Sequence, residues 1–555
     1  MQFNKNISIF AMALIISGCA APAIFSPTPS ALPTLTPFPT PTPTRINRPL
    51  EPTNLPVQPS ATATAIPSLS AKGPFLAYMQ STGDQLEIIF RNADGSGEKM
   101  IPYPGKDAAK NPMNNSLSDT ISPDGQWLAY YTGSVGGYES LMGPETPDPD
   151  TADLTLNLMS LSDGKTQVIT RLLSKDYPDN FTQVARQMNQ NKSVEEQQNA
   201  AKRLHDAFIS GIQSLAWSPD GHFLAFAGQM DGLSSDVYSY DIGSQTIKRL
   251  SSGPEEIQSI AWSPDGQWIL ESSTYDFGEG THCDLFATSS DSSTSRLLLS
   301  NTNDCGAGGE WLNNHSMFRS SQGNGIGTYG LLLVNIETGG VIKVWDANFN
   351  AFSISSDQKL IAFYSENIKP GMTEASNPAP ASLYIINLSD MQVIAVKGSD
   401  ESSDNETGTG VQHMETLGAS KDRMFILRNE NDGTLDYLST EGILTPVGMQ
   451  AINFSVAPDR QHWIAVGDRI QVYQADGTHV RDVDLPESEC PDGCLFWDRD
   501  FLWRPDSSGL FLMLENQRYN SDYPNHLYAM DLLSGGIRLA ETNIWEFSDP
   551  VWIPG

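Results

Sequence analysis

The clearest pattern in this chain is an apolar run, a polar turn and a second apolar run, repeated along most of its length. Leu215–Trp217 is followed by the tetrapeptide Ser-Pro-Asp-Gly at 218–221 and then by Phe223–Phe226. Proline fixes φ at the second turn position and glycine suits the fourth, so the tetrapeptide predicts a type I turn between two strands. The alternating segment Asp236–Asp241 predicts a third strand, and Thr246–Leu250 predicts a fourth.

Copies of this four-stranded unit recur at regular spacing. The turn returns at 263–266, an offset of 264 − 219 = 45 residues, and an earlier copy occupies 122–125. The proline-equivalent positions are 123, 219, 264, 313, 356, 421, 458, 505 and 554. Most steps lie between 37 and 65 residues, and the step 219 − 123 = 96 leaves room for an insertion. A period of roughly 40–50 residues with four short strands is typical of β-propeller blades.

The repeated strings resemble a known family. Trp217-Ser-Pro-Asp-Gly221 followed by Leu224-Ala-Phe226, with later Leu-Tyr-x-x-Asp-Leu strands such as the one beginning at Leu527, is similar to the TolB-like, WD-repeat-like β-propellers. The resemblance covers residues 73–555, with strong turn motifs in three copies and worn motifs in the others. It implies an all-β fold whose members bind many different partners, so the fold alone does not give the function.

The ends of the repeat region predict a closed ring. Asp549–Trp552 is typical of the first strand of a unit, and Gly73–Tyr78 of the second, so the two termini are expected to share one blade. Nine imprints are visible, whereas closed propellers usually have about four to eight blades. The prediction is therefore a single closed β-propeller of about eight blades, within a range of seven to nine.

The largest gap between repeats contains a small helical insertion, residues 171–211. Its local charge is nearly balanced, with six basic and five acidic residues. Apolar residues at helical spacing predict an amphipathic helical piece. They are Phe181, Val184, Ala185, Met188, Val194, Ala201, Leu204 and Phe208.

The N-terminus predicts an anchor. Lys5 precedes the apolar stretch Ile7–Ile16, which is too short for a membrane-spanning helix of about 20 residues. Ser17-Gly18-Cys19 then resembles the lipobox of bacterial lipoprotein signal peptides, which implies residues 1–19 as signal and Cys19 as the lipidated residue. The alternative is an ordinary secretory signal with a chance cysteine. The lipobox implies a membrane lipid as partner and a place in the bacterial cell envelope, extracytoplasmic on the cell membrane or in the periplasm.

A proline-rich spacer separates this signal from the repeats. Residues 22–67 hold thirteen of the 36 prolines, which favours an extended chain without a packed core, so residues 20–72 are predicted to be a disordered linker. The whole chain carries 33 Lys+Arg against 66 Asp+Glu, a net charge of −33. This charge argues against nucleic acid as a partner, because nucleic acid is also negatively charged and the two would repel each other.

No catalytic, metal or cofactor motif is convincing. Gly325–Gly330 matches G-x-G-x-x-G but is followed by the strand-like Leu331–Ile336, whereas a dinucleotide site needs a helix there. No G-x-S-x-G occurs. A cluster of carboxylates lacks calcium-loop spacing and is read as a solvated acidic loop. It contains Asp482, Asp484, Glu487, Glu489 and Asp492.

Four cysteines besides Cys19 predict disulfides in an exported chain. Three pairings are possible, and the local ones, Cys283–Cys305 and Cys490–Cys494, are favoured because both pairs lie in loop-rich stretches. A zinc site is the weaker alternative, since paired C-x-x-C spacing is missing.

Loop lengths predict where partners bind. Turns between strands 1–2 and 3–4 are short, whereas long segments connect strands 2–3 and successive blades, and these lie on the opposite face. The predicted function is a lipid-anchored binding or scaffolding module for protein, peptide or glycan. The alternative is a glycan hydrolase or lyase with catalytic residues on the loops, and enzymatic activity stays open. The candidate contacts on the long-loop face are Tyr138, Glu139, Tyr275, Asp276, Trp497, Tyr519, Asp522 and Tyr523.

Overall fold

The computed structural model describes most of the repeat region. The described residues are 73–82, 85–103, 117–133, 135, 153–177, 179–253, 255–274, 283–302, 304–320, 330–345, 349–365, 382–396, 411–429, 432–467, 469–484, 501–514, 526–542 and 550–553.

The strands and helices follow one another in the order that the repeats predict. The first part contains β1 (Phe75–Thr82), β2 (Gln85–Asn92), β3 (Lys99–Pro102), α1 (Leu117–Thr120), β4 (Trp127–Thr132), β5 (Thr155–Ser160), β6 (Thr166–Arg171), α2 (Asp179–Met188), α3 (Val194–Gly211), β7 (Leu215–Trp217), β8 (Phe223–Gly228), β9 (Asp236–Asp241) and β10 (Thr246–Arg249). The middle contains β11 (Glu256–Trp262), β12 (Trp268–Thr274), β13 (Cys283–Ser289), β14 (Ser295–Thr302), β15 (Glu310–Asn313), β16 (Ser316–Ser320), β17 (Leu331–Asn335), β18 (Gly340–Trp345), β19 (Phe349–Ile354), β20 (Leu360–Ser365), β21 (Ser382–Asn387) and β22 (Gln392–Ala395). The last part contains β23 (Val411–Ser420), β24 (Arg423–Asn429), β25 (Thr434–Leu438), β26 (Leu444–Gln450), β27 (Asn453–Val456), β28 (His462–Val466), β29 (Arg469–Gln474), β30 (His479–Asp484), β31 (Phe501–Trp503), β32 (Gly509–Leu514), β33 (His526–Asp531), β34 (Ile537–Thr542) and β35 (Val551–Ile553).

Within the described residues these strands form nine antiparallel sheets, numbered here in chain order. Sheet 1 is β35 with β1–β3, sheet 2 is β4–β6, and sheets 3 to 9 are the successive groups of four from β7–β10 to β31–β34. In sheet 2 an isolated bridge between Ile121 and Leu128 takes the place of the first strand. Each of the nine sequence imprints thus has its sheet, and the number lies within the predicted range of seven to nine.

The two ends of the repeat region share sheet 1, as the sequence predicts. Phe75 of β1 faces Ile553 of β35, and Ala77 faces Val551. Apolar side chains of sheet 1 also pack on sheet 9, where Leu76, Tyr78 and Phe511 are fully buried. Similar apolar clusters fill the space between every two successive sheets.

The Ser-Pro-Asp-Gly turn has the predicted type I geometry. In the copy at 218–221 the amide of Gly221 donates to the carbonyl of Ser218 at 2.8 Å. The Ser218 hydroxyl donates to Asp220 Oδ1 at 2.6 Å and accepts the Phe223 amide at 2.9 Å. Ser218 is buried, so its hydroxyl needs these partners. The same bonds recur in the copies at 122–125 and 263–266.

The tryptophan before this turn links neighbouring sheets. Trp262 Nε1 donates to the carbonyl of Ala216 in sheet 3 at 2.9 Å, and Trp217 Nε1 donates to Thr120 at 3.1 Å, next to sheet 2. Trp503 Nε1 reaches Ser455 of sheet 8 at 3.0 Å. The recurring turn and the tryptophan before it therefore have structural roles within this chain's repeats.

The predicted helical insertion consists of α2 and α3. Ser193 caps α3, because its hydroxyl accepts the Glu196 amide while Glu196 bonds back to the Ser193 amide. Phe181 of α2 and Phe208 of α3 pack together in the apolar cluster between sheets 2 and 3. Val194, predicted on the apolar face, is exposed instead, because it stands in the first turn of α3, away from the cluster. None of the described helices is long and apolar enough to cross a membrane.

The predicted Cys283–Cys305 disulfide is present, with the two Cα atoms 5.3 Å apart. It joins the start of β13 to the connection between sheets 4 and 5. Arg319 secures the same connection through an ion pair with Asp304 at 2.7 Å. Cys490 and Cys494 lie outside the described residues, so their pairing stays a prediction.

Candidate functional site: an open pocket and a buried carboxyl cluster

An open pocket of about 440 Å³ lies where the first strands of sheets 5 to 8 end. The turns 355–358 and 457–460 form part of its wall, so it belongs to the face of the short strand 1–2 turns. Its lining residues are Glu310, Trp311, Phe352, Ser353, Ile354, Ser355, Ser356, Gln358, Met414, Glu415, Thr416, Val456, Ala457, Pro458 and Arg460.

Glu415 is the most firmly positioned carboxylate of this pocket. Its Oε2 accepts the Val456 amide at 2.9 Å, and its Oε1 lies 2.9 Å from Nε2 of His413. The His413 ring in turn packs edge-on against Phe454, with the ring centroids 4.7 Å apart. The half-buried Glu415 carboxylate is therefore held in place from two sides.

Other polar groups of the pocket are either hydrogen-bonded to the protein or exposed to solvent. The Ser353 and Thr416 hydroxyls lie 2.7 Å apart, and Thr416 donates to the Ile354 carbonyl at 2.6 Å. Glu310 and Arg460 are exposed, and the Trp311 ring is half-buried beside them. The pocket thus offers two carboxylates, one guanidinium, hydroxyl groups and aromatic surface to a ligand, which suits binding through charge and ring contacts.

A second acidic region is closed to solvent, between sheets 3 and 4. We call it the buried carboxyl cluster, and it consists of Asp236, Glu256 and Glu271. Asp236 forms an ion pair with Arg249 Nη2, and Arg249 Nη1 reaches Asp231 at 3.3 Å. Glu256 Oε2 accepts the amide and the hydroxyl of Ser235 at 2.8 and 2.7 Å.

Burial dominates the electrostatics of this cluster. It raises the pKa of Glu256 to about 8, although the Ser235 bonds act in the opposite direction. It also raises the pKa of Glu271 to about 7, with Ser251 as the opposing hydrogen-bond partner. For Asp236, burial outweighs the Arg249 guanidinium and raises the pKa to about 6. Charged carboxylates are costly in such surroundings, so this cluster favours protonated acids.

The sequence prediction located neither region. The candidate contacts of the long-loop face, from Tyr138 to Tyr523, all lie outside the described residues, and so does Cys19. Of the acidic segment near Cys490, Asp482 and Asp484 are described, and both lie in β30 rather than in the predicted loop. Asp482 bonds to His479 at 2.9 Å. Among the described residues, no group of three or more His, Cys, Asp or Glu side chains is arranged to hold a metal ion.

A sequence signal existed for one of the missed groups. The second strand of a unit reads Leu224-Ala-Phe-Ala227 in sheet 3, whereas sheet 4 has Ile269-Leu-Glu-Ser272 at the same place. All residues of β12 are buried, so Glu271 stands where the other copies carry an apolar side chain. A carboxyl group inside an otherwise apolar strand is typical of a special site.

Comparison with known proteins agrees with the repeat assignment. The family model for the WD domain, G-beta repeat, matches residues 203–233 and 244–278, which include the turns of sheets 3 and 4. No curated protein matches this chain.

Solved structures show weak similarity. TolB from Acinetobacter baumannii is 15% identical with a TM-score of 0.27, and the match covers 59% of this chain and 65% of TolB, just under two thirds of that protein. An oligogalacturonate lyase in complex with manganese is 9% identical with a TM-score of 0.32 and covers 86% and 99%. The Dos1 propeller is 11% identical with a TM-score of 0.36 and covers 72% and 90%. The matched segments show WD-type repeats in this part of the chain, and the nine antiparallel sheets of the described residues have the arrangement of β-propeller blades.

Proposed function

We propose that this protein is a lipid-anchored, extracytoplasmic binding module that holds a segment of a protein partner in the open pocket. The observation that carries the proposal is the concave site of about 440 Å³ at the ends of four first strands, with a carboxylate fixed at its wall. Binding sites on rigid frames of strands are well positioned because the frame does not need to rearrange. The lipobox-like Cys19 supports the anchoring part of the proposal.

We also propose that the nine sheets close into one ring. The pairing of β1 with β35 and the apolar contacts of sheet 1 with sheet 9 support it. In a closed ring every sheet packs against two neighbours, so the strands around the pocket are held rigidly.

The chemistry of the pocket favours a basic side chain of the partner. Glu310 and Glu415 outnumber Arg460 among its charged lining residues, and Trp311 offers a ring face to a cation. The net charge of −33 attracts a cationic segment before contact is made. The long-loop face, with Tyr138, Tyr275 and Trp497, remains a second proposed contact surface.

Binding tests this proposal. Full-length protein in detergent is titrated with short peptides that carry lysine or arginine, and with the same peptides carrying norleucine or citrulline. Glu310→Gln and Glu415→Gln should each lower the affinity for the basic peptides about five- to tenfold. Glu441→Gln, an exposed carboxylate on the hairpin after β25, is the matched control and should bind as the original protein does.

Two results would overturn the pocket assignment. One is equal affinity for the basic and the neutral peptides. The other is an unchanged affinity for the basic peptides in both Glu310→Gln and Glu415→Gln. Turnover of a glycan by this protein would instead favour the alternative of an enzyme.

Anchoring is tested separately by fractionation of cells. Cys19→Ala should leave the protein unprocessed or release it from the membrane fraction, because the acyl chains supply the membrane affinity. A processed Cys19→Ala protein that stays with the membranes contradicts lipidation.

A further inference from the structure

We propose that Glu256 and Glu271, buried between sheets 3 and 4 next to the end of α3, form a proton-binding site that controls how firmly the α2–α3 pair is held on the sheets. This inference goes beyond the proposed binding function and does not depend on the open pocket. It rests on unpartnered carboxyl oxygens, on the charges around them and on the contacts that connect them to the helices.

Glu256 has one bonded and one unpartnered oxygen. Its side chain is 0% exposed, and Oε2 takes both bonds from Ser235. Oε1 has no hydrogen-bond partner among the described residues. A buried acceptor without a partner costs free energy, and a proton on that oxygen removes most of the cost by neutralising the group.

Glu271 repeats this arrangement on the next strand. It lies in the middle of β12, paired with Ile260 of β11 and Phe286 of β13, and is 4% exposed. Its Oε2 also has no hydrogen-bond partner in the described part of the chain. Two buried carboxyl groups with a free oxygen each therefore face the same inter-sheet space.

The surrounding charges do not balance two carboxylates. The one described cation in contact with the cluster, Arg249, is engaged with Asp236 and Asp231. Asp236 and Glu255 act on both glutamates through their negative charges. The other groups around the cluster are the hydroxyl groups of serine and tyrosine side chains and one histidine ring. They are Ser235, Tyr238, Ser251, Tyr177 and His205.

Burial, reinforced by these charges, explains the high affinity of both glutamates for protons. Burial and the neighbouring carboxylates raise the pKa of Glu256 to about 8 and that of Glu271 to about 7. Ionisation then places negative charge in the inter-sheet space, with repulsion from Asp236 and, in the described part of the chain, no cation besides Arg249 to balance it. The structure responds by admitting water, which requires the neighbouring segments to separate.

A continuous set of contacts leads from the cluster to the helices. The Ser235 hydroxyl, bonded to Glu256, also accepts the Ile257 amide at 2.8 Å. Gln258 Nε2 donates to the Ala207 carbonyl of α3 at 2.9 Å, and Ser210 of α3 donates to Gln258 Oε1 at 2.6 Å. A Cβ on Gly211 would stand 1.6 Å from the Ile257 carbonyl oxygen, so the helix end contacts the backbone of β11 directly.

The segment before Ser235 gives a second connection. Asn180 of α2 donates to Gln229 Oε1 at 3.3 Å and to the Gly232 carbonyl at 3.2 Å. Gln229 itself bonds to the Leu172 carbonyl at 2.8 Å. Movement of residues 229–235 therefore reaches both α2 and the start of the insertion.

Amide hydrogen exchange on the full-length protein tests the proposal. After correction for the chemical exchange rate, exchange in 229–236 and in α3 should accelerate at least about tenfold between about pH 6 and pH 9. The closed form binds protons more tightly than the opened form, so opening releases protons and becomes more favourable as pH rises, until it levels above the folded pKa values. The double variant Glu256→Gln/Glu271→Gln should lose this acceleration, and Glu441→Gln should keep it.

A measurement on the original protein covers the case in which the double variant does not fold. Carboxyl ¹³C shifts of labelled glutamate should show two groups that stay protonated above about pH 6, where ordinary glutamates are ionised. If every glutamate titrates below about pH 6, or if exchange in α3 shows the same pH profile in the double variant and the original protein, the proposal is wrong.

Discussion

The two acidic regions of this protein differ in one respect, namely access to water. Glu415 in the open pocket keeps 26% of its side chain exposed and has a histidine and a backbone amide as partners. Glu256 in the buried carboxyl cluster is fully enclosed and has two bonds to one serine. The same residue type is thus available to a ligand in one region and favours a proton in the other.

This difference follows from the packing around each carboxyl group. Glu415 lies in a first strand, at the edge of its sheet and beside an open space, where solvent reaches its carboxylate. Glu271 lies in a second strand and points between two packed sheets, where solvent is excluded. Glu256 is buried although it begins β11, a first strand, so the packing around a residue predicts the state of its carboxyl group better than the strand number or the residue type does.

The largest expected effect comes from removing the cation of the closed region. Arg249→Met leaves Asp236, whose side chain is 1% exposed, without its ion-pair partner and should cost roughly 3 kcal/mol of unfolding free energy at pH 8. Lys202→Met removes the exposed pair with Asp206 and should cost less than about 0.5 kcal/mol. Urea unfolding measures both, and equal losses would contradict the distinction between closed and exposed charges.

Removal of the disulfide tests whether it stabilises sheet 4 independently of the buried carboxyl cluster. Cys283→Ser/Cys305→Ser opens a cross-link with a sequence separation of 22 and should lower the unfolding free energy by about 2–3 kcal/mol. The pH dependence of exchange in α3 should remain, because the disulfide lies on the other side of the sheet from Glu271. Loss of that pH dependence would show that the two sides of sheet 4 act together.

A comparable effect separates the two regions by pH. Glu271 has a raised pKa of about 7, so the folded state holds its proton where the unfolded state has lost it, and stability falls as pH rises from about 4.5 to about 7. Glu271→Gln should therefore reduce this fall by about 3 kcal/mol in urea titrations at a series of pH values. A slope unchanged from that of the original protein would mean that Glu271 is ionised throughout.

The smallest effect is expected in the open pocket. Glu310→Gln should change the unfolding free energy by less than about 0.5 kcal/mol at every pH, because Glu310 is exposed. The same variant should weaken binding of basic peptides in the test described above. A clear loss of stability without a change in binding would make Glu310 a structural residue.

The repeated strands, the turns and the helical insertion could be predicted from the sequence because their signals are local. The type I turn at 218–221 needs only Ser, Pro, Asp and Gly in order, and helical spacing from Phe181 to Phe208 is visible in one short stretch. The Cys283–Cys305 pair was likewise predicted from its local position.

The two acidic regions were hidden because each depends on residues far apart in the chain. Glu310 and Arg460 line the same pocket although 150 positions separate them (460 − 310 = 150), and they come from repeats with worn motifs. Glu256 depends on Ser235, a residue in the loop of another sheet. Only the packing of sheets against each other brings such groups together.

The self-contained hydrogen bonding of the Ser-Pro-Asp-Gly turn has a consequence for how such a chain diversifies. Ser263 bonds to Asp265 and to the Trp268 amide, and Asp265 bonds to the Gln267 amide, all within six residues. A turn that needs no partner elsewhere is a portable part: duplicated into a new repeat, it folds the same way whatever surrounds it. The neighbouring strands are then free to acquire groups such as Glu271, and grafting this hexapeptide into the worn turn at 421 is a direct route to a more regular repeat.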